Sequence, residues 1–346
     1  MPAVPPRPAL VRKSSKSPAS RVFSPAIFRR RLLAWYDAHR RDLPWRKNRD
    51  PYRIWLSEIM LQQTRVAAVV EKYAQFLRLF PTVQALAASS QSAVLAAWSG
   101  LGYYRRARSL HEAARVIVGE NGAKFPATAE DLRRLPGIGR YTAAAIASIA
   151  FSEVVAVVDG NVERVAERLV GRRLSASEIW ETAELWLSPQ RPGDFNQAMM
   201  ELGATICLPG EPKCVLCPVA KFCATRGALP TKEKKPPATK ATVFYALDYQ
   251  NGKVRLEQRP KDAPRMPLMW ELPEVVPNGT APEVWLRLKH SITTTNYDVR
   301  VVRHVPGGTK TMKTMMKTGK RVALAQLEEI PLTGLARKIL RAAEIL

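Results

Sequence analysis

All four cysteines of this 346-residue chain lie in one short segment. Their spacing is Cys207-x6-Cys214-x2-Cys217-x5-Cys223, which is compact enough to surround a single metal centre. Four thiolates can also form a closed zinc site, but zinc ribbons usually carry two Cys-x2-Cys pairs and this segment has one. The spacing therefore favours a 4Fe–4S cluster. Cysteines confined to one local site also argue against a disulfide-bonded secreted protein.

Positive charge dominates the composition. The formal net charge is +24 at pH 7, and a surface of this sign attracts polyanions such as nucleic acid. A ribosomal or histone-like protein would share this charge, but eight Trp residues and a hydrophobic content of 46% are more typical of a packed enzyme. The richest apolar stretch, Tyr141–Val158, is too interrupted to cross a bilayer, so we expect a soluble protein.

A basic arm and a helical region make up the first two thirds of the chain. Residues 1–22 combine Lys, Arg, Pro and Ser without an apolar signal segment, which indicates disorder. A cleaved transit peptide has a similar composition. Residues 23–229 show helical periodicity interrupted by short turns, and Val154–Val158 is the one short run with a strand-like period. We therefore predict an all-α domain here.

The last third of the chain has a different pattern. Residues 230–240 are rich in Lys and Pro and indicate a linker. Strands are predicted at Ala241–Leu247 and Lys253–Gln258, joined through an Asn-Gly turn, and a further strand at Asp298–His304 precedes a closing helix from Leu335. Residues 241–346 are therefore predicted to form an α+β domain.

A glycine-rich turn interrupts the helical region at Leu135–Arg140, between a segment capped near Thr128 and a helix beginning near Tyr141. Gly137 and Gly139 free the backbone for a tight turn, whose N–H groups can bind a DNA phosphate together with the following helix N-terminus. This pattern predicts a helix-hairpin-helix over residues 128–147, with Arg140 also at the DNA backbone. The same turn could simply pack two helices.

Asp159 follows an apolar stretch and directly precedes a helix. An acid at this position is ordinarily an N-cap. Capping is compatible with a catalytic role, because a helix N-terminus favours negative charge.

Glu58 lies on a helix that is predicted to begin after Asp50, with Pro51 at its first position. Helical spacing places Glu58 beside Ile54 and Trp55, on the apolar side of that helix. A salt bridge would explain a carboxylate there. A functional explanation is better supported, because apolar neighbours raise the pKa of a carboxyl group and allow it to act as a general acid near neutral pH.

Together these segments resemble the MutY-type adenine DNA glycosylases, which belong to the endonuclease III superfamily of helix-hairpin-helix enzymes. The match runs from about Trp35 to Cys223 and passes through Leu43–Arg46, Ser57–Gln63, Gly100–Tyr104, Leu135–Arg140, Val158–Asn161, Phe195–Ala198 and the cysteine segment. The resemblance implies an enzyme that flips adenine out of a mispair with 8-oxoguanine or guanine and hydrolyses its N-glycosidic bond.

The resemblance also implies roles for individual residues. Glu58 protonates adenine N7, and Asp159 stabilises, or is briefly attacked by, the oxocarbenium sugar. Tyr141 steadies that centre. It occupies the position at which bifunctional lyases carry a Schiff-base lysine, and Glu163 occupies a site where some relatives carry Lys, so a monofunctional enzyme is expected.

Further residues are assigned to substrate and DNA contacts by the same resemblance. The residues expected to line the adenine pocket are Arg41, Trp45, Arg46 and Glu201. Gln63 and Tyr103 are expected to form a wedge that fills the vacated base stack. The cysteine segment is expected to meet DNA rather than to catalyse, with Lys213, Lys221 and Arg226 placed for phosphate contacts.

The C-terminal third resembles the Nudix-related domain that recognises 8-oxoguanine in this family, most clearly at Met269–Pro273. It lacks a Nudix box of clustered Glu, so we expect no hydrolysis there. The family's recognition loop normally contains Phe-Ser-His. Aligned on His290 and Asp298, this chain has Ile292, Thr293 and Thr294 instead. The loss of the aromatic ring and the imidazole puts strong discrimination of the base opposite adenine in doubt.

Two other interpretations remain open at this point. One is a glycosylase of the same fold that acts on thymine or damaged pyrimidines. The other is a non-catalytic DNA-binding protein, in which Glu58 and Asp159 are incidental. The expected partner is mispaired double-stranded DNA, and we expect a monomer without membrane contacts. The expected location is the bacterial cytoplasm at the nucleoid, with an organellar or nuclear origin left open.

Overall fold

The computed structural model describes residues 24–229, 238–277, 282–292, 294–303 and 319–346. The predicted basic arm, most of the predicted linker, Thr293 and His304 lie outside these ranges. The chain divides into two compact units. Unit 1 comprises Met1–Asp42 and Ala143–Pro230, and unit 2 comprises Leu43–Thr142 and Thr231–Leu346. The predicted helical region, residues 23–229, therefore contributes to both units.

Helices dominate the described residues before the linker. They are α1 Pro25–His39, α2 Pro51–Leu61, α3 Val66–Leu79, α4 Val83–Ala88, α5 Gln91–Ala97, α6 Arg105–Glu120, α7 Ala129–Leu132, α8 Arg140–Ala150, α9 Gly160–Val170, α10 Ala176–Trp186, α11 Pro192–Thr205 and, near the C-terminus, α12 Gly334–Ala342. The described helices include none that is long and apolar enough to span a membrane.

Local sequence signals explain several helix boundaries. Asp50 caps α2 by accepting a hydrogen bond from the Tyr52 N–H, and Pro51 occupies the first helical turn, as predicted. Ser175 and Glu178 form a reciprocal capping box at the start of α10. α9 ends at Val170 and is followed by Gly171, whose φ of 85° is the left-handed conformation that favours glycine at this position.

The core of unit 1 is built from α1, α9, α10 and α11 around fully buried aromatic side chains. The Phe28 ring contacts the rings of Trp186 and Phe195 at centroid distances of 5.4 and 6.1 Å. α11 packs so closely against α9 at Gly203 that a Cβ there would lie 2.5 Å from the Asn161 Cβ. The predicted strand-like run Val154–Val158 is not a strand. Its Val157 N–H is instead bound by the Asn196 side chain at 3.1 Å, so no neighbouring strand is needed.

Unit 2 combines helices α2–α7 with the C-terminal sheets. The strands are β1 Thr239–Leu247, β2 Tyr249–Gln250, β3 Lys253–Gln258, β4 Trp270–Glu271, β5 Glu274–Val275, β6 Leu286–Ile292, β7 Thr295–Arg303 and β8 Lys320–Ala323. One sheet has the order β5-β1-β7-β6, in which β1 and β7 are parallel, and in the other β3 pairs with β2, β4 and β8. Helix α12 and the apolar side chains of β3, β7 and β8 share one core.

The sequence prediction for the C-terminal strands is confirmed for β3 and corrected elsewhere. β1 begins at Thr239 rather than Ala241, so two residues assigned to the linker are paired strand residues: Thr239 pairs with Thr295 and Lys240 with Asn296. β7 begins at Thr295, three residues before the predicted start, because it continues the hairpin with β6. Position 251–252 is a tight turn with φ values of 51° and 67°, as an Asn-Gly hairpin requires. It joins β2 to β3, however, and the predicted first strand, β1, pairs with β5 and β7 instead.

Candidate active site and cysteine segment

Glu58 is buried within unit 2, with only 6% of its surface exposed. It lies in the last half of α2. The Tyr141 hydroxyl, from the first turn of α8, donates a hydrogen bond to Glu58 Oε2 at 2.7 Å. A second bond joins the same two segments, because Gln62 Nε2 donates to Thr142 Oγ1 at 3.2 Å. The structure thus brings Glu58 and Tyr141 into direct contact across 83 positions of sequence.

The predicted helix-hairpin-helix is present as α7, a turn and α8. Thr128 caps α7 through a bond from the Asp131 N–H. Gly137 has a φ of 74°, and a Cβ there would lie 2.4 Å from the Ser109 Cβ, so only glycine fits. Gly139 has open space around it and no positive φ, which corrects the prediction that both glycines are needed for the turn. Gly137, Gly139 and Arg140 are all exposed, as contact with a DNA backbone requires.

Gln63 and Tyr103 line the same large cleft in unit 2. The cleft has a volume of about 870 Å³ and is also bordered by the hairpin glycine Gly137 and by His290–Ile292 of β6. Both predicted wedge residues have a left-handed backbone, with φ of 56° for Gln63 and 47° for Tyr103. The Tyr103 side chain is 50% exposed.

The predicted opposite-base loop lies at the β6–β7 turn. Ile292 ends β6 and borders the cleft. Thr294 is exposed, and its carbonyl accepts a hydrogen bond from the Thr239 N–H at 2.9 Å. Of the two residues of this loop that the structure describes, Ile292 borders the cleft and Thr294 does not.

Asp159 is the N-cap of α9 in unit 1, which confirms the capping interpretation. Its Oδ1 accepts from the N–H groups of Asn161 and Val162 at 2.9 and 2.8 Å. Its Oδ2 accepts from Asn161 Nδ2 at 2.8 Å. The carboxylate is half-buried, and three donors fix the orientation of both of its oxygens.

The hydrogen bonds that orient Asp159 continue to the cysteine segment. Arg164 donates from Nη2 to Asn161 Oδ1 at 2.9 Å and from Nε to the Cys207 carbonyl at 2.7 Å. Burial lowers the pKa of the Arg164 guanidinium. No sequence signal assigned a role to Asn161 or Arg164, because their importance depends on which groups the fold places beside them.

The four cysteines are half-buried and line one cavity of about 30 Å³ in unit 1. Arg168 Nη1 lies 3.2 Å from Cys207 Sγ, and the Arg226 N–H donates to Cys223 Sγ at 3.3 Å. Burial raises the pKa of the Cys217 thiol to about 11. In the described ranges no group of three or more His, Cys, Asp or Glu side chains is arranged to hold a metal ion. The donor set nevertheless fits an iron–sulfur cluster, because four sulfurs border one cavity and two N–H donors approach them.

The predicted DNA-facing cations of this segment are placed on its surface. Lys213, Lys221 and Arg226 are exposed. Val215 and Leu216, between the second and third cysteines, are also exposed. The segment therefore presents charge and apolar surface outward while its cysteines line the cavity.

The residues predicted to line the adenine pocket have very different environments. In unit 1, Arg41 forms a two-pronged ion pair with the buried Glu201, with Nε–Oε1 and Nη2–Oε2 distances of 2.7 and 2.8 Å. This hydrogen bonding raises the pKa of Arg41. In unit 2, Trp45 is buried and packs edge-on against Tyr73 at 5.5 Å, and Arg46 is half-buried.

Comparisons with known proteins agree with this architecture. Residues 56–189 match the family model of the HhH-GPD superfamily base excision DNA repair proteins. Adenine DNA glycosylase of Rattus norvegicus is 52% identical over 57% of this chain and 41% of its own length. Adenine DNA glycosylase of Buchnera aphidicola (subsp. Schizaphis graminum) is 37% identical over 65% of this chain and 69% of its own length.

Among solved structures, a thermostable thymine-DNA glycosylase matches with a TM-score of 0.55 and 33% identity, over 58% of this chain and 96% of that chain. A trapped endonuclease III–DNA covalent intermediate matches with a TM-score of 0.51 at 22% identity, which supports a shared fold alone. The chain spans 41% of the rat relative's length.

Proposed function

Since the chain belongs to the MutY-type adenine DNA glycosylases of the helix-hairpin-helix superfamily, we propose that it removes adenine mispaired with 8-oxoguanine or guanine. The observation that carries the proposal is the buried Glu58 carboxyl in contact with the Tyr141 hydroxyl. A carboxyl group shielded from water is suited to hold a proton and to deliver it in the transition state.

In the proposed reaction the adenine is first flipped out of the duplex. Glu58 donates its proton to N7 of adenine as the C1′–N9 bond breaks, and the bonding electron pair leaves with N9. Positive charge develops on the sugar and is stabilised, or briefly captured, by the Asp159 carboxylate. Water then adds to C1′ and gives up a proton that restores the acid form of Glu58, which leaves free adenine and an abasic site. In this scheme Glu58 therefore acts as the acid and Asp159 acts as the carboxylate.

The cap geometry of Asp159 supports its part in this scheme. Three donors hold the two carboxylate oxygens in one orientation, so little reorganisation is needed when charge develops on the sugar. The carboxylate also lies at the positive end of the α9 dipole.

We propose that the enzyme is monofunctional. Tyr141, at the position where lyases of this superfamily carry their lysine, has a hydroxyl engaged with Glu58 and no amine to form a Schiff base. The product strand should remain intact until alkali is added. Efficient borohydride trapping of a protein–DNA adduct would show that a nucleophilic amine exists.

The four cysteines are proposed to hold a 4Fe–4S cluster, which would crosslink the segment from Cys207 to Cys223 and keep its exposed cations in place for DNA. Purified protein should then contain iron and show a broad absorption band at about 400 nm. Stoichiometric zinc without iron, in protein assembled anaerobically with ample iron, would contradict this assignment.

The C-terminal sheets are proposed to form the Nudix-like part that contacts the base opposite adenine. His290–Ile292 border the cleft that also contains Gln63 and Tyr103, which supports this placement. Because Ile292 offers no side-chain hydrogen bond, we expect weaker preference for 8-oxoguanine over guanine than a polar residue there would give.

A single-turnover assay on duplexes that differ only at the mispair tests the proposed function. Adenine should be released from A:8-oxoguanine and A:G duplexes but not from A:T. A T:G duplex tests the second candidate, a thymine glycosylase, which the similarity to the solved thymine-DNA glycosylase favours. Release of thymine and not of adenine would support that candidate. Tight binding without release of any base would support a non-catalytic DNA-binding protein.

A further inference from the structure

Arg106 connects two segments that are far apart in sequence. It lies in the first turn of α6, directly after the Gly100–Tyr104 turn, and its side chain is half-buried in unit 2. Burial lowers the pKa of its guanidinium to about 10, and among the described residues no carboxylate pairs with it. A buried cation without a counter-ion needs many hydrogen bonds, and Arg106 makes them almost entirely to backbone carbonyls.

One arm of the guanidinium holds the end of α2. Nη1 of Arg106 donates to the carbonyls of Ile59, Met60 and Gln62 at 2.8, 3.0 and 2.5 Å. The last carbonyls of a helix have no partner within the helix, so a guanidinium there fixes the point at which α2 ends. Gln63 follows at once and leaves the helix in a left-handed conformation.

The other arm holds the turn that carries Tyr103. Nη2 of Arg106 donates to the carbonyls of Leu101 and Gly102 at 3.0 and 3.2 Å, and to Thr64 Oγ1 at 3.1 Å. Trp98 supports the same turn, because its indole N–H donates to the Gly102 carbonyl at 3.1 Å.

Two aromatic rings also contact the guanidinium. Its carbon lies 5.4 Å from the centroid of the Trp98 ring and 5.5 Å from that of Tyr103. The Tyr103 ring thus contacts the same guanidinium that binds the carbonyl of the preceding residue, Gly102. Left-handed backbone is rarely adopted by residues other than glycine, and it persists where surrounding contacts over-determine it.

From these contacts we infer that Arg106 is a positioning residue that sets Gln63 and Tyr103 in one fixed arrangement at the cleft before DNA binds. The inference rests on the proposed function, in which these two residues form the wedge. One guanidinium binds carbonyls on both segments. A shift of either wedge residue would therefore disturb the hydrogen bonds that hold the segment of the other. Lysine cannot replace this fork, because a single ammonium has three donors on one atom.

The first test compares Arg106→Lys with Arg115→Lys, the same substitution at an exposed position on the same helix. Hydrogen exchange is measured by mass spectrometry on the free, full-length protein. Peptides containing Gln63 and Tyr103 should both exchange faster in Arg106→Lys and remain unchanged in Arg115→Lys. Unchanged exchange in either segment of Arg106→Lys would overturn the inference. This readout needs no DNA, so it stands even if the proposed glycosylase activity fails.

The second test measures catalysis on an A:8-oxoguanine duplex. Arg106→Lys should lower the single-turnover rate by about tenfold or more, because small misplacements of positioning groups are costly. Affinity for the duplex should change much less, since phosphate contacts supply most of it. In a background carrying both Gln63→Ala and Tyr103→Ala, the same substitution should cost only about twofold, because residues acting through one another are not additive. A full tenfold loss in that background would contradict the inference.

A gentler variant covers the case in which Arg106→Lys does not fold. Thr64→Val removes one acceptor of the guanidinium and leaves the charge in place. It should accelerate exchange of the same two segments by a smaller factor. An adenine-releasing wild type with unaltered exchange and rate in Thr64→Val would count against Arg106. A wild type that releases no base would count against the proposed function alone.

Discussion

Glu58 and Asp159 are held in opposite ways by the chain. Glu58 is buried in the last half of a helix, and the Tyr141 hydroxyl that contacts it comes from another helix 83 positions away. Asp159 is half-buried, and its three hydrogen-bond donors come from two nearby residues, Asn161 and Val162. The environment of Asp159 is thus formed by a few consecutive residues, whereas that of Glu58 depends on a contact with Tyr141, which is distant in sequence. We expect the two carboxyl groups to respond differently to substitution for this reason.

The largest difference should appear with Asp159→Asn. Asparagine caps a helix about as well as aspartate, so α9 should survive, although the new amide would confront Asn161 Nδ2 as a second donor. The lost negative charge would no longer stabilise the oxocarbenium sugar, and the single-turnover rate should fall by about a hundredfold or more. Duplex affinity should change little. A variant with equal losses in rate and affinity would indicate that Asp159 acts mainly in binding.

Tyr141→Phe should have an intermediate effect. It removes the hydroxyl that contacts Glu58 Oε2 and leaves the ring in place, so Glu58 loses one hydrogen bond and some of its orientation. A single hydrogen bond contributes about 1 kcal/mol, which corresponds to a rate loss of roughly fivefold to tenfold in a single-turnover assay. No loss would mean that contacts other than the Tyr141 hydroxyl orient Glu58. The matched control is Tyr249→Phe, an exposed tyrosine of β2.

The smallest effect concerns stability and separates capping from chemistry. Asp159 caps α9 and Ser175 caps α10 within the same unit. Asp159→Ala and Ser175→Ala should each lower the free energy of unfolding by about 1 kcal/mol, measured by urea denaturation. Only Asp159→Ala should lose adenine release. If Ser175→Ala lost it as well, helix capping rather than the carboxylate would be the limiting factor.

The same contrast between local and long-range contacts decides which parts of the structure could be predicted from the sequence. The caps at Asp50, Thr128 and Asp159, the hairpin glycine Gly137 and the Asn-Gly turn were predictable, because each depends on a few adjacent residues. The linker's end and the Val154–Val158 run were misassigned, because pairing with Thr295 and binding by Asn196 are long-range events.

The same limit applies to the candidate site. Glu58 could be singled out as a carboxylate on an apolar helix face, yet its contact with Tyr141 could be inferred only from a family resemblance. Arg106 gave no signal, because a run of arginines after the Gly100–Tyr104 turn indicates DNA contact as readily as a buried fork. Its partners are mostly backbone carbonyl groups. Every residue type has one, so the sequence does not indicate which carbonyls Arg106 binds.

The central claim is that Glu58 supplies the proton that releases adenine, and Glu58→Gln tests it most directly. The amide keeps the shape of the side chain but delivers no catalytic proton, so mispair binding should persist while the single-turnover rate falls by at least about a hundredfold. Glu112→Gln, an exposed glutamate of α6, should behave like the wild type. A folded Glu58→Gln protein that binds the A:8-oxoguanine duplex normally and excises adenine at close to the wild-type rate would contradict the account.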